Sequence, residues 1–241
     1  MEDEVLRVDF NAHILVNPFD NIKTLQASFS TLEHLTSLGF TKVLATPRFL
    51  PSKTTYASVP NLRKQVKELG IAATYHGLHV SLGLTSEIFI TPTIPSLIFS
   101  GTVLPLEKTK LLIRLPDSDK VSIEKLTSVL RALTLRHYTP IIATPERCAI
   151  LQKHPDSIKS ISSLGVMFQC SYKSIAGLHG HPTEKLALWM LREGYCDFLG
   201  TEASNPDDPI FTKFAKAEKK ILSLIGEDAY KKIMRNANGI F

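Results

Sequence analysis

Cysteine is scarce in this sequence. The three cysteines, Cys148, Cys170 and Cys196, lie far apart among 241 residues, and they form no Cys-x-x-Cys pair. This spacing argues against a disulfide framework and predicts buried, reduced thiols. The acidic opening MEDEVLRVDF carries no apolar signal region, and no apolar run approaches the ~18 residues that a membrane span needs. We therefore expect a cytoplasmic protein without a membrane span.

Nucleotide-loop and serine-hydrolase motifs are also missing. The sequence contains no G-x-x-x-x-G-K, no G-x-G-x-x-G and no G-x-S-x-G, so these two classes have no support. Concentrated positive charge is absent too. The formal net charge is +5, and the short basic clusters at 213–220 and 231–235 are typical of solvated helix faces. Nucleic acid is therefore not an expected partner, an anionic protein partner is allowed, and nothing in the sequence sets an oligomeric state.

What the sequence does contain is a regular alternation of two patterns. Hydrophobic residues make up 44% of the chain, enough for a single domain over 1–241 with a substantial core. Short apolar runs predict strands at 6–10, 42–47, 72–83, 111–115, 140–145, 166–171 and 197–203. Apolar residues at helical spacing predict helices at 22–38, 59–69, 123–137, 155–164, 183–194, 209–225 and 227–237. The alternation predicts a parallel sheet covered by helices.

Polar side chains follow the predicted strands at the points where they end. They include Asn11, His13, Arg48, Glu87, Arg114, Thr144, Arg147 and Glu202. In an α/β barrel the carboxyl ends of the strands converge on one mouth, so we favour a barrel over an open sheet. The Pro- and Thr-rich stretch 91–107 is interpreted as an excursion between barrel strands.

The order of these strand-end segments resembles a known family. The segments DFNAHI, ATPRF, SEIFI, LLIRL, ATPER, FQCSYKSIAGLHG and DFLGTEASN are similar in order and spacing to the PHP (polymerase and histidinol phosphatase) family. The likeness is greatest to its branch of bacterial tyrosine-protein phosphatases from capsular and exopolysaccharide clusters. It implies a distorted (β/α)7 TIM-like barrel with two or three metal ions, often manganese, that hydrolyses phosphotyrosine on a cognate kinase.

The resemblance also shows where the metal ligands have been replaced. The family's His-x-His pair matches Asn11 and His13, and one ligand glutamate is retained as Glu87. At the other ligand positions this sequence departs from the family, with Arg48, Thr144 and Ser204 for histidines, Arg114 for a glutamate and Glu202 for an aspartate. The residual candidates for metal ligands are therefore His13, Glu87 and Glu202, which would hold at most one ion.

Charge provides a reason for these replacements. A guanidinium stays protonated and cannot coordinate a cation, so Arg48 and Arg114 would repel metals at this position. The same arginines would neutralise Glu87, Glu202 and Asp9, which are costly to bury without a counter-charge. The sequence thus predicts no cofactor, with manganese or another divalent metal binding only if the residual site retains an ion.

Arg147, which the resemblance places near the phosphate, leaves two interpretations open. With Arg48 and Arg114 it would form a positive pocket for a phosphate, or it would pair with Glu146 or a helix end and hold the loop. The leading hypothesis is a degenerate phosphatase homologue that binds a phosphorylated tyrosine kinase or an acidic protein without hydrolysing it. The alternatives are an active metal-dependent tyrosine phosphatase with a reduced metal site and a structural interaction module.

Overall fold

A computed structural model of the chain describes residues 6–51, 53, 57–117 and 121–241. The strands are β1 Val8–Ala12, β2 Lys42–Ala45, β3 Arg48–Phe49, β4 Ser81–Leu84, β5 Glu87–Phe89, β6 Lys110–Arg114, β7 Thr139–Ala143, β8 Met167–Ser171 and β9 Phe198–Gly200. The helices are α1 Leu25–Ser37, α2 Val59–Tyr75, α3 Ile94–Phe99, α4 Ile123–Thr134, α5 Ala149–Lys153, α6 Ser157–Ser162, α7 Tyr172–Ala176, α8 His181–Arg192 and α9 Ile210–Asn238, with a 3-10 turn at Pro145–Arg147. None of these described helices is long and apolar enough to cross a membrane.

The strands form a mixed α/β fold on a curled parallel sheet. Strands β1, β2 and β4 pair in that order, and β3, β5, β6, β7, β8 and β9 form a second run in which every strand pair is parallel. Backbone hydrogen bonds connect the two runs. The amide of Glu202, just after β9, donates to the carbonyl of Asn11 in β1 over 2.8 Å, and the amide of His13 donates to the carbonyl of Ala203 over 2.9 Å.

Both faces of the sheet are buried, as parallel strands covered by helices require. The larger core cluster lies between the sheet and the helices and includes Leu111 and Ile113 of β6. Leu112, between them in sequence, belongs to a smaller cluster in which the rings of Phe10 and Phe198 stack at 4.1 Å. Successive strand side chains point to opposite faces, so β6 contributes to both clusters.

The largest error of the sequence prediction concerns 72–83. This stretch was expected to be a strand after a helix ending at Gly70, but α2 continues through Gly70 to Tyr75 and only Ser81–Leu84 is a strand. The buried residues Leu69 and Ala73 continue the helical spacing past the glycine, and this burial outweighs the glycine's low helix propensity.

Other predicted elements differ in detail. The stretch 91–107 contains α3, the predicted helix 155–164 is reduced to Ser157–Ser162, and α7 follows β8 directly where no helix was expected. The two helices predicted at 209–225 and 227–237 are consecutive parts of α9. They meet at Gly226, whose φ of 77° breaks the helical backbone between them.

Candidate site at the carboxyl ends of the strands

A buried glutamate, Glu87, begins β5 and is surrounded by partners from two other segments. Its Oε1 accepts a hydrogen bond from Asn11 Nδ2 at 3.1 Å, and its Oε2 lies 3.2 Å from His13 Nε2. Arg48, at the start of β3, places its Nε 3.4 Å from the same Oε2. The predicted pairing of Arg48 with Glu87 is therefore present, and the other two contacts come from Asn11 in β1 and from His13 just after it.

A second buried glutamate, Glu202, follows β9 and contacts two arginines. Arg114, the last residue of β6, donates from Nη1 to Glu202 Oε1 over 2.9 Å and to Thr144 Oγ1 over 2.6 Å. Arg147 Nη1 lies 3.5 Å from the same glutamate oxygen. Arg114 thus joins Glu202 to Thr144, where the family resemblance implies a histidine, and the second ion pair expected from the sequence is also present.

The charges in this network reinforce one another. Burial opposes ionisation of Glu87, but the nearby charges of His13, Arg114 and Arg48 outweigh it and lower the pKa of Glu87 to about 2. Burial likewise opposes ionisation of Glu202, and Arg114 and Arg147 hold the pKa of its carboxyl far below the usual range. The pKa of Arg114 is raised by the two glutamates against the effect of its own burial. Both carboxylates and the guanidinium therefore stay charged at neutral pH.

Asp9 behaves differently from the sequence-based expectation. No arginine pairs with it in the described part of the chain. It accepts hydrogen bonds from the backbone amides of Thr201 at 2.8 Å and Asn11 at 3.2 Å. Burial raises the pKa of Asp9 to about 7, although these hydrogen bonds act in the opposite direction. The prediction that Arg48 and Arg114 neutralise Asp9 is wrong, because both guanidiniums point to the glutamates instead.

Asn11, where the family resemblance implies a histidine, is held by hydrogen bonds to one charged and two neutral side chains. Its Nδ2 donates to Gln169 Oε1 over 2.9 Å as well as to Glu87, and its Oδ1 accepts from Thr46 Oγ1 at 2.5 Å. Gln169, on β8, was missed from the sequence because a glutamine inside an apolar strand carries no motif. At another histidine position, Ser204 Oγ donates to Asp208 Oδ2 over 3.3 Å.

Arg147 does not pair with Glu146, so that part of the alternative interpretation is wrong. Glu146 is buried and its Oε1 accepts the amide hydrogen of Ser171 over 2.9 Å, and burial raises the pKa of its carboxyl to about 7. Arg147 Nη2 instead donates to Asp117 Oδ2 over 2.6 Å. Asp117, in the loop after β6, also accepts from Arg114 Nη2 at 2.9 Å through its other oxygen. The sequence motifs did not identify Asp117, and its only sequence signal is its position three residues after the strand-end arginine.

The three arginines open onto one surface pocket of about 490 Å³. Its lining comprises Phe19, Arg48, Leu50, Phe89, Arg114, Pro116, Asp117 and Arg147. Arg48 and Arg147 are partly exposed, with about a quarter of each side chain accessible, whereas Arg114 is buried at the base. The pocket therefore combines apolar walls with guanidinium groups, a combination that suits an aryl group carrying an oxyanion.

The residues in this region do not fit a metal ion. Among the described residues, no group of three or more histidine, cysteine, aspartate or glutamate side chains is arranged to hold one. His13, Glu87 and Glu202 were the residual candidates, but Arg48 contacts Glu87 and Arg114 contacts Glu202 on oxygens that an ion would need. A guanidinium has no lone pair to offer and carries the same sign of charge as the ion.

The backbone at two of these positions is unusual. Thr144 has φ 51° and ψ 53°, and Glu202 has φ 51°, so both residues occupy the left-handed region. For a β-branched residue such as threonine this conformation is strained, and such strain tends to cluster at functional sites. Both residues lie in turns at the carboxyl ends of strands, β7 for Thr144 and β9 for Glu202, beside the arginines of this region.

Sequence comparison places the chain among capsule-synthesis proteins. A family profile described as capsular polysaccharide synthesis, CpsB/CapC, matches residues 7–241. A Staphylococcus aureus protein, CapC, whose name describes it as a putative tyrosine-protein phosphatase, is 27% identical over 199 residues, which cover 81% of this chain and 76% of CapC.

Solved structures with the same fold include two kinds of phosphatase. A chain from the crystal structures of YwqE from Bacillus subtilis and CpsB from Streptococcus pneumoniae, described as metal-dependent tyrosine phosphatases, is similar with a TM-score of 0.85 and 19% identity, covering 97% of this chain and 93% of that one. Histidinol phosphate phosphatase from Lactococcus lactis gives a TM-score of 0.54 at 11% identity, with 90% and 93% covered. At these identities the likeness establishes the fold alone.

Proposed function

The chain belongs to the CpsB/CapC family of capsular polysaccharide synthesis proteins, and from this premise we propose that it binds a phosphotyrosine segment without hydrolysing it. The partner would be the phosphorylated tail of a tyrosine kinase or another acidic protein segment of the capsule or exopolysaccharide system. In this proposal the arginines replace the divalent cations of the family's phosphatases. The substrate-binding part of the site is kept while its metal chemistry is lost.

One observation carries this proposal. Arg114 stands at a position where the family resemblance implies a ligand glutamate, and it is hydrogen-bonded to both Glu202 and Thr144. Two divalent ions normally activate the attacking water and neutralise the phosphate. A fixed guanidinium can perform only the second of these tasks, because it does not lower the pKa of a bound water by coordination.

The pocket supports binding of the aryl phosphate as a unit. Phe19 and Phe89 contribute aromatic surface to the lining of the pocket, and the lining residues Arg147 and Arg48 are partly exposed to solvent. Arginine recognises phosphate through paired N–H donors, and such charge-assisted bonds are about twice as strong as neutral ones. A phosphotyrosine side chain would therefore insert its ring between apolar walls and direct its phosphate towards the arginines.

A second candidate is an active metal-dependent tyrosine phosphatase with a reduced site. It is favoured by two buried atoms, His13 Nδ1 and Glu202 Oε2, which have no hydrogen-bond partner among the described residues. Such atoms are compatible with a ligand that is not part of the chain. A structural interaction module is the third candidate, and it is the function that would remain if neither phosphotyrosine nor metal binds.

Binding and turnover separate these functions. The purified chain would be titrated with a fluorescent phosphotyrosine peptide, and its hydrolysis of p-nitrophenyl phosphate would be measured with Mn²⁺ present. We expect saturable binding that falls at least tenfold in Arg147→Ala, because one guanidinium–phosphate pair contributes about 1.5–3 kcal/mol. Arg192→Ala removes an exposed arginine on α8 and serves as the matched control.

Three outcomes would contradict the proposal. Turnover that depends on Mn²⁺ and disappears in His13→Ala would establish the active phosphatase instead. Equal binding of the phosphorylated and unphosphorylated peptide would favour the interaction module. Equal loss of affinity in Arg147→Ala and Arg192→Ala would show that general positive charge, and not this pocket, attracts the peptide.

The proposal includes the architecture that positions the site. We propose that 1–241 is one domain in which the two runs of strands close into a seven-stranded barrel. The closure is supported by the hydrogen bonds that join Glu202 and Ala203 to β1, and by the amide of Glu87, which donates to the Pro47 carbonyl across the break between β2 and β3. A closed barrel would fix the spacing of the three arginines around one mouth.

A further inference from the structure

Asp117 bridges two of the arginines that the proposed function assigns to phosphate. Its Oδ1 accepts from Arg114 Nη2 at 2.9 Å and its Oδ2 accepts from Arg147 Nη2 at 2.6 Å. Each carboxylate oxygen therefore faces a different guanidinium. This is the arrangement that two oxygens of a phosphate would adopt on the same pair of donors.

The charge around the pocket is already balanced without a ligand. Three guanidiniums are paired with four carboxylates, and these pairs involve Arg48, Arg114 and Arg147 with Asp20, Glu87, Asp117 and Glu202. A phosphate entering this group would add negative charge where four carboxylates already outnumber three guanidiniums. It therefore binds well only if one of the four carboxylates moves away from its arginine.

Asp117 is the carboxylate that can move. The side chains of Glu87 and Glu202 are 0% and 2% exposed and Asp20 is also buried, so each would lose its counter-charge in a place that water does not reach. The Asp117 side chain is 52% exposed and lies on a loop at the pocket's rim. Water can solvate it once it leaves the arginines, so its displacement costs little.

We propose that Asp117 is a built-in competitor that occupies the oxyanion position of the pocket and is displaced when a phosphate binds Arg114 and Arg147. This inference rests on the proposed function for the identity of the ligand, but the competition itself concerns any tetrahedral oxyanion. Asp117 therefore lowers the affinity of the pocket for an oxyanion alone. A ligand needs binding surface beyond its phosphate, such as an aryl ring, to displace the carboxylate.

The test compares Asp117→Asn with the wild-type chain, using calorimetric titration with inorganic phosphate and with free phosphotyrosine at constant ionic strength. Asparagine keeps the shape of the side chain and removes the competing charge. We expect Asp117→Asn to bind inorganic phosphate about tenfold more tightly, because the phosphate no longer displaces a carboxylate from two partly exposed ion pairs and one negative charge is removed. Asp228→Asn makes the same chemical change at an exposed position on α9 and should leave the affinity unchanged.

The outcomes separate this inference from the proposed function. A phosphate affinity in Asp117→Asn that is equal to or lower than wild type overturns the competitor role, even if both proteins bind phosphotyrosine. A gain for inorganic phosphate, with no phosphotyrosine binding in either protein, supports the competitor and contradicts the proposed function. Inorganic phosphate binding to neither protein overturns the competitor role, and it overturns the proposed function as well only if phosphotyrosine also fails to bind. The gain should disappear in the double variant Asp117→Asn with Arg147→Ala, because the donor that the phosphate would use is gone.

Discussion

Replacing Arg114 with methionine tests whether an arginine has become a structural substitute for metal. Methionine keeps most of the length of the side chain and removes the charge. Glu202 would then keep only the longer contact to Arg147 at 3.5 Å, and Thr144 Oγ1 would lose its donor. Because Glu202 is almost fully buried, it would become a carboxylate with little compensation in a region of low dielectric.

The expected cost is large compared with the stability of a domain. Removing one partner of a buried ion pair typically destabilises a protein by about 3–5 kcal/mol, and the remaining arginine places this case near the lower value. Native domains are stable by about 5–15 kcal/mol in total. With a urea dependence of about 2–3 kcal/mol per molar, the unfolding midpoint should fall by about 1–1.5 M.

The dependence on pH provides an independent check. In the wild-type chain the pKa of Glu202 is lowered by folding, so its contribution to stability is present above the unfolded pKa of about 4.3 and is lost as the pH falls below it. Without Arg114, burial acts against a weaker attraction and the folded pKa rises. The variant should therefore be most destabilised at pH 7.5, and the difference from wild type should shrink towards pH 5.

Urea unfolding followed by circular dichroism at both pH values would measure these effects. The double variant Arg114→Met with Glu202→Gln removes both charges, so it should recover to within about 1 kcal/mol of the wild-type stability. The reasoning fails if Arg114→Met unfolds at the wild-type urea concentration. It also fails if the double variant is as unstable as the single one, because the cost would then come from packing and not from charge.

Three further predictions concern the same region. Folding raises the pKa of Asp9 to about 7, so the free energy of unfolding should fall as the pH rises from about 4 to about 7. Asp9→Asn should flatten this part of the stability profile, and thermal melts with the same pH dependence as wild type would contradict the raised pKa of Asp9. Gly200→Ala should destabilise the protein by about 1–3 kcal/mol, because the added Cβ would lie 2.6 Å from the Cβ of Asn11. Gly70→Ala, within α2, should stabilise it by about 0.5–1 kcal/mol, because no atom lies near the added Cβ, and thermal melts with the opposite order would refute this. Arg114→Glu adds a carboxylate beside two buried glutamates, so its melting temperature should be lower than that of Arg114→Met and should rise when Mn²⁺ is added. A melting temperature that does not change with Mn²⁺ would show that no ion can replace the guanidinium.

The strand ends could be predicted from the sequence because their pattern is local. An apolar run followed by polar residues identifies the end of a buried strand, and parallel strands bring such ends together. Arg48, Glu87, Arg114 and Glu202 were assigned to one mouth on this basis, and the pairing of each arginine with a glutamate followed from the cost of buried charge. Charge compensation is a strong constraint, so it can be anticipated without coordinates.

The remaining contacts depend on distances that the sequence does not encode. Asp117 is half exposed on a loop, and the sequence gives no reason to choose it over other acidic residues as the ion-pair partner of Arg147. For Asp9, burial within a strand was predictable from the sequence, but the hydrogen bond that its carboxylate accepts from the Thr201 amide was not. The boundary of α2 was misjudged because the burial of Leu69 and Ala73 outweighed the signal from Gly70.

The left-handed turn at Thr144 is unusual for the residue that occupies it. Histidine adopts this backbone conformation more readily than a β-branched residue, so the turn after β7 would suit the histidine that the family resemblance implies at this position better than it suits threonine. The strained turn persists because Thr144 Oγ1 accepts the Arg114 hydrogen bond and the backbone amide of Thr144 donates to the carbonyl of Gln169 at 2.8 Å. Because the buried carboxylate of Glu202 depends on the Arg114 guanidinium, a substitution that removes Arg114 to make room for a metal ion also removes the counter-charge of Glu202.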